Sequence, residues 1–225
     1  MIFKRHRHRI FCIGLNKTGT TSLGTFLEDV GFEVAKQRKG EALLPDYINR
    51  DFNSIIKYCK DSKADVFQDV PFSLPFTFAH LDNAFPDSRF ILTQRNDPEQ
   101  WYNSILKFHS DVFNNGQRPT YESLVKSKYI YEGWAWELMK DVFIRSKEEM
   151  YEKSHFMDVY RNHIREIESY FKNKSHKFIS INLTVKDDFQ RLCEFLNIQT
   201  ELTEFPRITS KDIATQNFSS RFLKQ

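Results

Sequence analysis

The chain has 225 residues, 40% hydrophobic and 28% charged, enough for one α/β domain with a sizeable core and too few for a second full one. Its formal charge is +3, and Lys and Arg are spread along the chain without an aromatic platform, which argues against nucleic acid as a partner. No run reaches the roughly 18 apolar residues of a transmembrane helix, and the 3 cysteines, odd in number and far apart, suit reduced thiols of a cytoplasmic protein.

Residues 1–9 read as a solvated basic arm, Lys4-Arg5-His6-Arg7-His8-Arg9 being its densest part. The apolar run behind it is too short for a signal peptide. Ile10-Phe11-Cys12-Ile13 predicts a buried strand, which enters the turn Gly14-Leu15-Asn16-Lys17-Thr18-Gly19-Thr20-Thr21-Ser22. Leu23, Phe26, Leu27 and Val30 then recur at helical spacing, and Gly31 marks the stop. Phe32 to Ala35 reads as a short strand, Asp46 to Lys60 as a helix, Ala64 to Gln68 as a strand halted by Pro71 and Pro75, and Phe76 to Ala84 as a helix.

Arg89 to Gln94 is a strand by its aromatic and β-branched content. Asp97-Pro98-Glu99-Gln100 opens a helix with a cap residue and Pro at the first helical position, and Trp101, Ile105 and Phe108 give it a core-facing side. Past a loop at 114–119, residues 121–151 read as mostly helical, and Met157 to Phe171 as a long helix. Lys177 to Asn182 is a last strand, Thr184 the expected cap of a helix carrying Phe189, Leu192, Cys193 and Leu196, and 199–225 a tail without period. Strand and helix alternate throughout, the pattern of a three-layer α/β fold around a central, mainly parallel sheet.

The first turn is suited to an anion. A strand that turns tightly into a helix aims backbone N–H groups and the positive helix end at one spot. Lys17 adds a charge, Gly19 allows close approach, and Thr20, Thr21 and Ser22 add hydroxyl donors. An ATPase loop places its Lys directly after the second Gly, whereas Lys17 precedes Gly19 by two. Lys17-Thr18-Gly19-Thr20-Thr21-Ser22 instead resembles the 5'-phosphosulfate loop of sulfotransferases that use 3'-phosphoadenosine 5'-phosphosulfate (PAPS).

Three further segments fall in the order of that family. Asp65-Val66-Phe67-Gln68-Asp69-Val70-Pro71 resembles the strand end that presents the catalytic base, with Asp69 where cytosolic members have His. A carboxylate is ordinarily the weaker base, tolerable where the transition state is loose and the acceptor proton leaves late. Arg95 and Ser104, nine residues apart, resemble the Arg and Ser that hold the 3'-phosphate, with Asn103 as the alternative to Ser104. Ile179-Ser180-Ile181-Asn182 and the helix end Phe195-Leu196-Asn197 resemble the family's late strand and helix, after which Arg207 is the basic residue expected near the cofactor. An Asp-x-Pro strand end with Trp101-Tyr102 in the 3'-phosphate segment resembles one branch of the family.

The resemblance implies PAPS as donor, bound by Lys17, Thr18, Gly19, Thr20, Thr21, Ser22, Arg95, Ser104 and Arg207, with Lys17 and Asp69 catalytic and no metal required. It implies in-line sulfuryl transfer to a hydroxyl or amine of a small-molecule or glycan acceptor. The aromatic-rich segments 37–60, 72–88 and 109–156 would line the acceptor side. Two other readings share the loop: a P-loop kinase using ATP and Mg²⁺, and a non-catalytic nucleotide-binding module.

Overall fold

The computed structural model describes residues 8–144 and 146–208. Four strands, β1 (Ile10–Cys12), β2 (Val66–Gln68), β3 (Arg89–Thr93) and β4 (Phe178–Ile181), form one parallel sheet in the order β2-β1-β3-β4. β1 is buried along its length and β3 at all but its first residue, because helices cover both faces.

Side chains alternate between two cores. Ile10, Cys12, Val66, Ile91, Ile179 and Ile181 face Leu23, Phe26 and Leu27 of α1 (Thr20–Asp29) and Phe189, Leu192 and Cys193 of α10 (Lys186–Leu196). Phe11, Phe67, Phe90 and Leu92 face the larger core on the other side. That layer holds α3 (Leu44–Ile48), α4 (Phe52–Asp61), α5 (Thr77–Ala84), α6 (Pro98–Phe113) and α9 (Lys153–Phe171), with the short α2 (Gln37–Glu41), α7 (Tyr121–Lys126) and α8 (Trp134–Leu138) towards one end. The expected three-layer α/β arrangement is what the chain forms.

Several local expectations are corrected. Phe32 to Ala35 makes a single bridge, Val34 to Val66, and no named strand. The helix expected over Asp46 to Lys60 is two, broken at Arg50, whose φ of 59° ends α3 before Asp51 caps α4 through the Ser54 amide. Within 121–151, helix is confined to α7, α8 and a π-helical turn, Met139–Phe143, that continues α8. Thr184 caps nothing: Val185 precedes α10, and Asp188 in its first turn accepts the Asn182 amide.

Both ends of the described chain belong to the fold. The Arg9 guanidinium donates to Ala64 O at 3.1 Å and stacks over Phe67 and Phe85, so the basic arm expected at 1–9 stops short of it; residues 1–7 lie outside the described residues. Phe205 is buried against Phe26 and Phe189, which anchors the start of the tail through one aromatic side chain and no helical period, while 209–225 lie outside.

β2 lies on one side of β1 and β3 on the other, so the chain reverses direction across the sheet at β1. The crevice beyond the carboxyl ends at such a point is where open α/β sheets bind ligands. The first turn leaves β1 there, Asp69 follows β2 and Arg95 follows β3.

Candidate active site

Gly14 lets the first turn leave the sheet. A Cβ there would lie 2.2 Å from Thr93 Oγ1 and 2.5 Å from Thr93 O, so β1 and β3 approach this closely only without a side chain. Beyond it the loop is tied from behind by three elements. The Thr18 hydroxyl donates to Leu15 O at 2.6 Å and pairs with Thr93, Arg95 Nε donates to Lys17 O at 2.7 Å, and Trp101 Nε1 donates to Asn16 O at 3.0 Å. Trp101 is itself fully buried, stacked on Tyr160, whose hydroxyl accepts the Arg95 amide, so the core role expected for Trp101 holds.

Lys17 (φ 73°) and Gly19 (φ 104°) take left-handed conformations that swing the chain into α1. No side chain caps α1, so the first amides of the helix, which have no acceptor within it, remain available in front of the loop. Thr20, Thr21 and Ser22 border the same space. An anion fits this cradle: orphan amides, hydroxyls and Lys17 border it, and Arg95 borders the same pocket.

The space is a partly open pocket of about 130 Å³. The loop, Arg95 and Asp69 form one side; Phe108, His109, Phe113, Tyr129, Trp134, Leu138 and Phe143 form an aromatic wall, with Gln37, Arg38 and Glu41 of α2 between. A larger recess of about 600 Å³ opens at the opposite end of the sheet, beside Ile10 and Arg89. It contains none of the residues just described, and we place the site at the smaller pocket because the anion-binding groups converge there.

Asp69 is 2% exposed and holds φ at 59°, uncommon for a residue with a side chain and typical of functional positions. Its carboxylate takes a hydrogen bond from the Thr20 side chain, and its Oδ1 has no partner among the described residues. Burial pushes its pKa up to about 6, against the opposing pull of Thr20 and Lys17. Burial thus makes this carboxylate hold a proton more strongly than an exposed Asp does. Lys17 lies 4.4 Å above the Phe108 ring, and burial lowers its pKa, with Asp69 opposing.

Glu41 and His109, which also border the pocket, are not among the expected site residues. Glu41 is 1% exposed; its Oε1 accepts from Gln37 Nε2 at 2.9 Å and from the Tyr129 hydroxyl at 3.2 Å, and burial pushes its pKa up to about 7. His109 is buried with Nδ1 2.7 Å from the Tyr151 hydroxyl, and burial followed by Lys17 pushes its pKa down to about 3, so it is a neutral imidazole. Nothing in Gln37-Arg38-Lys39-Gly40-Glu41 distinguishes it from a solvated turn; His109, four residues after Ile105 on the buried face of α6, carried the only spacing signal.

Of the expected binding residues, Lys17, Gly19, Thr20, Thr21, Ser22 and Arg95 border the pocket together with Asp69. Thr18 does not: its side chain is 1% exposed and spent on Leu15 and Thr93, and its amide donates to Leu15 O. Ser104 is half-buried on α6, and neither it nor the exposed Asn103 borders the pocket. Arg207 is exposed, but its neighbour Ile208 donates its amide to Ser22 Oγ at 3.2 Å, which brings the tail to the rim of the loop.

Among curated proteins none matches the chain. Residues 9–213 match the family model of the sulfotransferase domain, whose enzymes transfer sulfuryl groups, and that span takes in β1 to β4 and every residue of the pocket. The chain belongs to the sulfotransferase domain family.

Proposed function

We propose that the chain is a PAPS-dependent sulfotransferase, working as one domain, that sulfates a hydroxyl or amine of a small acceptor. The observation that carries this reading is the meeting, in one pocket, of an uncapped helix start flanked by Lys17 and Arg95 with a buried carboxylate, Asp69, whose Oδ1 lacks a partner. PAPS supplies an activated sulfuryl group on a phosphate that can leave as a stable anion.

The residues divide the work. Lys17 and the amides and hydroxyls of Gly19 to Ser22 hold the anionic oxygens at the 5' end and balance charge that grows there. Arg95 is assigned to the 3'-phosphate, where a planar fork suits a phosphate better than an ammonium does, with Ser104 and Arg207 as flanking donors. Asp69 Oδ1 receives the acceptor proton. Its pKa of about 6 keeps it mostly ionised at neutral pH while making it a better base than an exposed Asp. The aromatic wall excludes water from the acceptor.

The Asp69-Val70-Pro71 and Trp101-Tyr102 pairs support placement in the branch that carries both. Cys12, Cys59 and Cys193 are buried free thiols, which suits a cytoplasmic enzyme, and no helix of the described residues is long and apolar enough to cross a membrane. Sulfur-radiolabelled PAPS incubated with a panel of small alcohols, phenols and amines tests the activity. Label is expected on at least one acceptor with wild type and to be nearly lost with Lys17→Ala. Label transfer that survives unchanged in both Lys17→Ala and Asp69→Asn would overturn the mechanism.

A further inference from the structure

Glu41 has no part in the transfer just described, yet it is the most deeply buried acid of the aromatic side of the pocket. Its known contacts use Oε1, which accepts from Gln37 and Tyr129, and its main-chain oxygen, which accepts from Trp134 Nε1 at 2.9 Å. Oε2 is buried, in a side chain that borders the pocket, and has no partner among the described residues. A buried acceptor left unpaired is costly, and a charged one more so. A brace between α2, Tyr129 and Trp134 needs only Oε1 and would be served equally by Gln. The carboxylate is explained by something that meets Oε2.

The charges around it narrow what that is. In the function proposed above, on which this inference rests, Lys17 and Arg95 are matched by the donor's anionic groups. Arg38 donates to the main-chain oxygen of Tyr129 at 2.7 Å and lies over its ring, and its charge offsets only part of the cost of ionising Glu41, for which burial is the largest cause. Asp69 and Glu41 are two acids in one small pocket, Asp69 adding to the cost of ionising Glu41, beside the rings of Tyr129 and Trp134. A lone hydroxyl on the acceptor would satisfy Asp69 alone. An ammonium group would satisfy Glu41, relieve the repulsion between the acids and lie favourably against aromatic faces.

We propose that Glu41 selects the acceptor: the substrate is a small amino alcohol whose reacting hydroxyl meets Asp69 Oδ1 and whose protonated amine donates to Glu41 Oε2. The pocket, about 130 Å³ and bordered by the loop as well as the aromatic wall, favours a small acceptor. Glu41 is thus a specificity residue, and the transfer itself needs no proton from it.

The test compares trans-2-aminocyclohexanol with cyclohexanol, by ligand-observed NMR titration on protein saturated with 3'-phosphoadenosine 5'-phosphate. Wild type is expected to bind the amino alcohol at least about tenfold more tightly, as one hydrogen bond to a charged group implies. Glu41→Gln keeps the Oε1 brace and turns an amide donor towards the ligand; the preference is expected to fall below about threefold, with affinity for the nucleotide unchanged. The nucleotide affinity shows that the variant is folded. A wild-type preference below threefold, or a preference that Glu41→Gln leaves intact, overturns the assignment while the sulfotransferase reading stands. Failure of wild type to bind the nucleotide overturns both.

Discussion

The loop side of the pocket is backbone held by its neighbours: Asn16 O by Trp101, Lys17 O by Arg95, and Thr18 by Leu15 and Thr93. The aromatic side is the reverse, side chains delivered by α2, by α6 and by α8 with its π-helical continuation, three regions far apart in sequence. The first arrangement is rigid, because each tie fixes the main chain between a strand end and a helix. The second is specific to shape, because its surface changes with each side chain. A transferase that keeps one donor and varies its acceptors within a family has reason to divide its pocket this way.

The contrast is broken most severely at Lys17. Lys17→Ala removes the mobile charge of the loop side and leaves the amide cradle; kcat/KM is expected to fall by about 10³, the scale of losing one preorganised stabilising group. Asp69→Asn is expected to cost less, about 10², because a late proton transfer demands little of the base. With Asp69 as the base, wild-type kcat/KM is expected to fall about tenfold per pH unit below about pH 6, where the carboxylate takes up a proton. A pH profile flat from pH 7 to pH 5 would exclude Asp69 as the base.

Asp69 also makes a prediction that needs no acceptor. Its pKa in the fold, about 6, lies above the ordinary 3.8, so the unfolded chain loses this proton first as pH rises. Folding is therefore penalised progressively between about pH 4 and pH 6, with the full penalty above pH 6. Asp69→Asn is expected to raise Tm at pH 7.5 and to leave it nearly unchanged at pH 4, measured by thermal unfolding; equal shifts at both pH values would contradict the buried, raised carboxyl. Function and stability are then opposed at this one side chain.

Two smaller effects sharpen the division. Arg95→Ala is expected to weaken 3'-phosphoadenosine 5'-phosphate by about 10- to 100-fold, from the lost charged hydrogen bonds and the freed Lys17 carbonyl. Thr18→Val is expected to cost about 1–2 kcal/mol of stability, two buried hydroxyl contacts being lost, with nucleotide affinity changed less than about threefold. Urea unfolding and calorimetry on the same sample separate the two. A large loss of affinity in Thr18→Val without loss of stability would return Thr18 to the ligand side, where the motif alone had placed it.

The two sides also differ in how far they could be read from the chain. The loop, Asp69 and Arg95 are legible because each follows a strand whose apolar run is plain, and a parallel sheet brings its carboxyl ends together whatever the intervening helices do. A motif gives residue order and not which way a hydroxyl turns, so the bonding of the Thr18 hydroxyl to Leu15 and Thr93 is not legible in it. Ser104 rests on spacing along α6, and spacing does not say how deep a pocket reaches. Glu41 is not legible in the sequence because its burial depends on Tyr129 and Trp134, which arrive from about 90 residues away. The break at Arg50 was hidden for a related reason: apolar residues on both sides keep helical spacing while tertiary packing decides where the helix is cut.

The claim on which everything rests is that the β1 turn and Arg95 form one site for a 3',5'-bisphosphorylated nucleotide. Calorimetric titration of 3'-phosphoadenosine 5'-phosphate, ADP, and ATP with Mg²⁺ into wild type and Arg95→Ala tests it most directly. Metal-independent binding of the bisphosphate is expected, with at least about tenfold weaker binding of ADP and loss of that difference in Arg95→Ala. Binding of ATP only with Mg²⁺, or equal binding of ADP and the bisphosphate to wild type, would contradict it.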